Sequence, residues 1–227
     1  MHFKQRAILL IKRSKNIMRE QGFLALVKQI LLFVANSFFK CRGKVVYDIN
    51  FTSLPSTESL KPKLENVETH FILSIEHLER LMKEGYDFDF YSDLDIDKNM
   101  LNNGAILVGV FVNKEMAYRG WLALNKESAY MLAPYLSKIE FVDQSISEKS
   151  ATNPEYQGKG IFTFAFAQKC AYAQQSGKPK LQGSVDKGNL AVHKVMEKLG
   201  GRIVYSGHHI RLLYLWDFYR LRPVTKQ

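Results

Sequence analysis

The chain has 227 residues, 46% of them hydrophobic and 24% charged. This composition excludes disorder and leaves room for one sizeable core, or one domain plus an appendage. Its net charge of +10 is unevenly placed: residues 1–44 hold ten Lys or Arg against one acid, Glu20, so the basicity belongs to an N-terminal appendage and the rest is nearly neutral.

Two cysteines, Cys41 and Cys170, stand in neither a disulfide-framework nor a metal-ligand spacing. A structural zinc site is therefore not expected, and a reduced cytoplasmic compartment fits. The sequence shows no internal repeat and no low-complexity tract.

In chain order, residues 7–20 read as a short basic helix and Phe23 to Phe39 as an amphipathic one, with Gly22 between them. Seventeen residues rise only about 25 Å against a hydrocarbon core of roughly 30 Å, and Lys28, Gln29 and Asn36 interrupt them, so a membrane span is not expected. Two roles stay open for residues 1–44. The helices pack on the body of the protein or on a second copy, or their apolar face and basic rim lie on the anionic inner face of a membrane. Nucleic-acid binding is not expected, since no recognition motif accompanies the charge.

VVYDINF (45–51) reads as a strand or extended lead-in, and residues 52–65, with Pro55 and Pro62, as a linker. The body is expected over 66–227. It begins with a strand at 67–74 and a helix capped by Ser74 and closed near Gly85. Strands follow at 105–113 and 117–124, joined as a hairpin, and at 138–146, continuing toward Thr152. A helix ends at Gly177, a short strand covers 180–186, a second helix ends at Gly200, and one or two strands finish the chain. Antiparallel strands followed by strand–helix–strand–helix–strand give an α+β (mixed α/β) fold.

NPEYQGKGIF (153–162) falls between a strand and a helix. Glycines there let the backbone approach a ligand, and helix N-terminal amides favour an anion such as a pyrophosphate. The spacing is neither that of a P-loop nor of a dinucleotide fingerprint, and alone it reads equally well as a turn. Asn189 and Glu197-Lys198-Leu199-Gly200 follow at a fixed distance. Together the two elements resemble the GNAT superfamily of acyl-CoA-dependent N-acetyltransferases, whose signatures are Gln/Arg-x-x-Gly-x-Gly/Ala and a later Asn before a helix ending like Tyr-Glu-Lys-Leu-Gly-Phe. Pro154 to Ile161 matches the longer form of the first, with Gln157 for Arg and Glu155 at the Gln/Arg position. The motifs cover 150–205, and strand order extends the resemblance over about 66–220.

The resemblance implies a mostly antiparallel sheet with two splayed parallel strands and flanking helices, here behind an N-terminal helical extension. It also implies acetyl-CoA or another acyl-CoA between strands near 147–152 and 180–186, and a direct attack by the primary amine of a small molecule, such as an amino sugar or envelope precursor. Ala151, Thr152, Gln157, Gly158, Lys159, Gly160, Ile161, Phe162 and Asn189 are the implied cofactor contacts, and no metal is implied. Glu148 is the candidate base, with Asp143 and Glu140 behind it. Trp121 and His208 are candidate acceptor contacts, weighed against core and structural roles; His209, Tyr118 and Tyr172 are weighed the same way. Met196 stands where many members carry the Tyr that protonates the leaving thiolate. That departure keeps a second reading open, a non-catalytic CoA-binding module acting through its N-terminal helices. Cys170 reads as a small buried hydrophobe.

Overall fold

The computed structural model describes residues 39–90, 94–139, 141–212 and 216–224. The helices expected ahead of residue 39, and the membrane and self-association readings attached to them, lie outside the described residues, as does Glu140. Among the described residues, no helix is long and apolar enough to cross a membrane.

Eight strands form one sheet: β1 (Phe39–Asn50), β2 (Val67–Ile72), β3 (Ala105–Val112), β4 (Glu115–Ala123), β5 (Ser145–Thr152), β6 (Lys180–Asp186), β7 (Arg202–Leu212) and β8 (Trp216–Pro223). Among the described residues, five α-helices accompany them: α1 (Ile75–Lys83), α2 (Leu94–Asn102), α3 (Lys126–Leu132), α4 (Ile161–Gln175) and α5 (Leu190–Lys198). The strand order is β2-β3-β4-β5-β6-β1-β7-β8. β1–β6, β2–β3, β3–β4 and β4–β5 pair antiparallel, and β5–β6 is parallel. This is the mostly antiparallel α+β sheet the sequence leads one to expect.

The described residues fall into two compact units, 43–208 with 219–224, and 39–42 with 209–218. In the smaller unit Asp217 accepts from Arg211 and meets His209 Nε2 at 2.6 Å. The Arg211 guanidinium, and then His209, hold the Asp217 carboxyl below the usual range.

The larger unit carries the sheet core. β3 is buried along its whole length, which is why its sequence is a continuous apolar run and not an alternation. Leu107 faces one cluster with Ile72, Trp121 and Ile146, covered by Leu78 and Leu81 of α1, Met100 and Leu101 of α2 and Leu132 of α3. Ile106 and Val108 face a second cluster with Leu122 and Leu181, covered by Phe166, Ala167 and Cys170 of α4 and Met196 and Leu199 of α5. The β3–β4 turn places Asn113 and Lys114 at φ 50° and 66°, as a two-residue hairpin of right-handed twist requires. Ser74 caps α1 by accepting from the His77 amide at 3.2 Å, a contribution of about 1 kcal/mol.

Three expectations change. Residues 45–51, read as a strand or an extended lead-in, are a strand, and an interior one: β1 pairs with β6 from Lys44↔Asp186 to Asn50↔Lys180. Val46 fills one face, and Val45, Tyr47 and Ile49 the other. Residues 39–44, counted in sequence with the helical extension, begin this strand. The strand expected from 138 starts at Ser145. Ile139 and Phe141 alternate like strand residues but belong to an irregular segment packed on the core, after a 3-10 turn opened by Pro134. Finally, α2 and α3 were not expected; α3 is capped by Asn125, which accepts from the Ser128 amide at 2.9 Å.

Beneath β4 and β5, α4 inserts a lysine. Lys169 is fully buried. Its Nζ donates to the Trp121 carbonyl at 3.3 Å, Ser147 Oγ at 3.1 Å and Ser150 Oγ at 3.2 Å, and lies 5.2 Å from the centroid of the Tyr118 ring. Tyr118 itself donates to Ser150 Oγ at 2.8 Å. Gly120 makes this arrangement possible, because a Cβ there would overlap Lys169 Nζ and the Tyr118 hydroxyl. Burial depresses the Lys169 amine from 10.5 to about 7. The unfolded chain therefore binds more protons than the folded one between those values, and stability rises with pH across that window. Urea unfolding at pH 7 and pH 9 should show wild type gaining about 2 kcal/mol relative to Lys169→Met. A difference that stays constant with pH would mean that the amine titrates as it does in water.

Candidate functional site

β5 and β6 share only two register positions, Ser145 with Leu181 and Ile146 with Gln182. Beyond them the ladder stops, so from Ser147 to Thr152 the edge of β5 that faces β6 is unpaired and a fork opens toward the C-terminal ends of both strands. Gly183 sits near the vertex, where a Cβ would fall 2.8 Å from the Ser147 carbonyl oxygen. On its other side β5 is distorted. Trp121 lies opposite Glu148 and Arg119 opposite Ala151, so Lys149 and Ser150 together face Gly120. Lys149 takes up the extra residue as a bulge at φ 52°.

Glu148 stands just past the vertex. Its Oε1 accepts from the Ser184 amide of β6 at 2.6 Å and from the Tyr135 hydroxyl at 3.1 Å, so this carboxylate bridges the gap that the backbone ladder leaves. Burial raises its pKa above the ordinary carboxylate range, against the lowering effects of Lys44 and the Ser184 amide. Burial and the adjacent Glu148 push the Tyr135 hydroxyl up as well, which keeps it a donor. Burial lowers the Lys149 amine.

At the open end, the Asn153 amide donates to the Ala117 carbonyl at 2.9 Å, and the Tyr156 hydroxyl donates to Glu115 Oε2 at 2.7 Å. Gln157 Nε2 reaches back to the Thr152 carbonyl at 3.3 Å. These bonds fasten the turn to β4 and β5. Gly158 and Gly160 adopt φ 75° and 81°, a region costly to other L-residues, and a Cβ on either would meet no protein atom within 4 Å. The first amide bonded within α4 is that of Phe164, to Gly160. The amides of residues 161–163 precede it and are left by helix geometry to an outside acceptor, beside a partial positive charge of about half an electron.

The structure thus gathers Ala151, Thr152 and residues 157–162 at the open end of β5. Ile161 contributes its backbone there, since its side chain is core, and Phe162 packs on Tyr118 and Phe166. Asn189 lies past the end of β6 and caps α5, accepting from the Val192 amide at 3.2 Å. Trp121 is directly opposite Glu148 but 1% exposed, a buried floor and not an open wall. His208 is exposed on β7, which β1 separates from β6. Asp143 pairs with Lys178. Met196 is 2% exposed in an apolar cluster with Tyr47, whose hydroxyl lies 2.7 Å from His193 Nδ1. Tyr135, Ser184, Lys169 and the bulge were not foreseen. An isolated Gly120 in an apolar strand was the one sequence signal for the bulge. Among the described residues, no group of three or more His, Cys, Asp or Glu is placed to hold a metal.

No family model matches the sequence, and no curated protein matches it. Solved structures do match in fold. A GCN5-related N-acetyltransferase-like protein from Streptococcus suis is similar over 85% of this chain and 68% of its own, with a TM-score of 0.51 and 13% identity. A GCN5-related glucosamine N-acetyltransferase region of a fungal multi-domain β-N-acetylglucosaminidase is similar over 83% of this chain and 23% of that one, with a TM-score of 0.51 and 13% identity. A GNAT-family acetyltransferase from Colwellia psychrerythraea is similar over 82% of this chain and 60% of its own, with a TM-score of 0.48 and 17% identity. At such identities the likeness is one of fold alone, and that fold is the one of the GNAT superfamily of N-acetyltransferases.

Proposed function

We propose that the protein transfers an acetyl or related acyl group from acyl-CoA to the primary amine of a small molecule, by direct attack in a ternary complex. The observation that carries this reading is the fork: two parallel strands part after two pairs, a carboxylate stands at the vertex, and a glycine turn opens a helix at the mouth. Bound acyl-CoA supplies the acyl carbon, activated as a thioester. The residues present fit it. The unpaired edge of β5 from Ser147 to Thr152 is suited to hydrogen-bond an extended pantetheine arm as another strand would. Gly158, Gly160 and the first amides of α4 are suited to a pyrophosphate, since neither glycine carries a side chain and the space a Cβ would take is open.

Glu148 has the chemistry of the general base. An acceptor amine is mostly ammonium in water and must lose a proton before it is nucleophilic. With Oε1 fixed by Ser184 and Tyr135, the carboxylate is oriented, and its raised pKa makes it a stronger base than an exposed carboxylate.

Replacing Glu148 with Gln preserves shape and removes the base. Turnover should fall by about 10²–10⁴, while acetyl-CoA affinity stays within about twofold of wild type. The wild-type rate should also fall as pH drops through the raised carboxyl pKa. Unchanged turnover in E148Q would remove Glu148 from the chemistry. Gly160→Val adds a side chain at φ 81° and should weaken acetyl-CoA by about tenfold or more in calorimetry; equal affinity would show that the turn is not the phosphate site. Acetyl-CoA binding without thiol release on any amine would favour the non-catalytic module, and no binding at all would remove both readings.

A further inference from the structure

Tyr118, Lys169, Ser147 and Ser150 meet beneath the bulge of β5, and their protons can be counted. Tyr118 is fully buried, and Ser150 Oγ, at 2.8 Å, is the hydrogen-bond partner of its hydroxyl among the described residues. A buried O–H is rarely left unpaired, so Tyr118 donates and Ser150 accepts. Lys169 Nζ takes the second lone pair of Ser150 at 3.2 Å, and meets Ser147 Oγ at 3.1 Å and the Trp121 carbonyl at 3.3 Å. An ammonium donates to all three oxygens, and both serine protons must then go elsewhere. A neutral amine has two N–H groups and one lone pair, so it can accept one serine proton. If it accepts that of Ser147, every buried donor is paired. If it accepts that of Ser150, the proton of Ser147, a residue only 4% exposed, is stranded. In either charge state the Ser150 proton is left over, and no acceptor for it stands among the described residues.

The place of that proton gives it a use. Ser150 is partly exposed, forms half of the bulge, and belongs to the stretch from Ser147 to Thr152 whose edge toward β6 is unpaired. Lys169 reaches its oxygen from α4 and Tyr118 from β4, so the proton is turned away from both. Gly120 leaves the oxygen its room, since a Cβ there would fall 2.7 Å from Ser150 Oγ. A donor already oriented by two buried partners loses little freedom on binding. Ser150 also lies two residues past Glu148 toward the mouth of the fork, about 6 Å along a strand. At that distance from the base it meets the arm of the ligand, whose amides carry carbonyl oxygens, and not the thioester.

We propose that the Ser150 hydroxyl is a further cofactor-binding group, donating to an amide carbonyl of the pantetheine arm, and that Tyr118 and Lys169 are the positioning residues that aim it. The assignment rests on the acyl-transfer reading above. It gives the buried lysine a task that its own lack of access does not forbid: Lys169 never meets the ligand, and acts on it through the serine.

The test is calorimetry on the full chain with CoA and with acetyl-CoA. Ser150→Ala should weaken both by the same factor, about three- to tenfold, the worth of one neutral hydrogen bond. Ser150→Thr keeps the hydroxyl and should stay within about twofold of wild type. Tyr118→Phe frees the Ser150 proton to turn inward, and should weaken CoA by about two- to threefold in the presence of Ser150 but not at all in the Ser150→Ala background. That non-additivity separates aiming the serine from merely holding the strand, and Tyr118→Phe keeps the proposal testable if Ser150→Ala does not fold. Wild-type affinity in Ser150→Ala would overturn the proposal and leave water as the acceptor. A loss with acetyl-CoA but not with CoA would overturn the amide assignment, and additive losses would overturn the positioning role. In each of these cases the wild type still binds acetyl-CoA and the acyl-transfer reading stands. If the wild type binds neither ligand, that reading fails and takes the proposal with it.

Discussion

A single carboxylate crosses the place where the sheet comes apart. β5 and β6 are hydrogen-bonded at two positions and then diverge, and the next link between them is Glu148 Oε1 on the Ser184 amide at 2.6 Å. A sheet interrupted near its centre would ordinarily close, since each unpaired buried backbone group is costly. Here the strands are held apart by what lies on either side of β5. The bulge at Lys149 and Ser150 bends it away from regular pairing, and Lys169 fixes that bend from below by donating to Ser147, Ser150 and the Trp121 carbonyl. The groups that distort the strand thus also create an edge that a ligand can complete.

Two ionisable groups meet at this strand, Glu148 on it and Lys169 beneath it, and desolvation moves both toward neutrality. The Glu148 carboxyl is raised and the Lys169 amine is lowered to about 7. Each feels the protein more than solvent, yet their surroundings differ. Lys169 is enclosed with three oxygen acceptors and no room for a substrate, which makes it a support. Glu148 is only partly enclosed and stands where the two strands part, which makes it a candidate for proton transfer. The difference lies in access and not in the size of the shift.

Much of the architecture was legible because short-range chemistry wrote it. Ser74 before an amphipathic run gave a helix start, the break across Asn113–Met116 between apolar runs gave a hairpin, and the paired glycines after Pro154 gave a turn leading into a helix. The features that needed distant partners were not legible. That residues 45–51 form an interior strand and not an extended lead-in was not legible, because its neighbour in the sheet is 132 residues away where Asp48 meets Lys180. Ile139 and Phe141 imitate a strand because their apolar spacing serves packing alone. Trp121 and Glu148 were both proposed as site residues, and they are opposite one another, but only the fold could assign one to the floor and the other to the fork.

The central claim is that the parted strands and the glycine turn form one acyl-CoA site. Amide hydrogen exchange on the full chain, with and without acetyl-CoA, tests it most directly. The account predicts slowed exchange confined to residues 147–152 and 158–163 on addition of acetyl-CoA, with the paired amides of β2 and β3 unchanged. Acetyl-CoA that binds while leaving those two segments exchanging as before would contradict it.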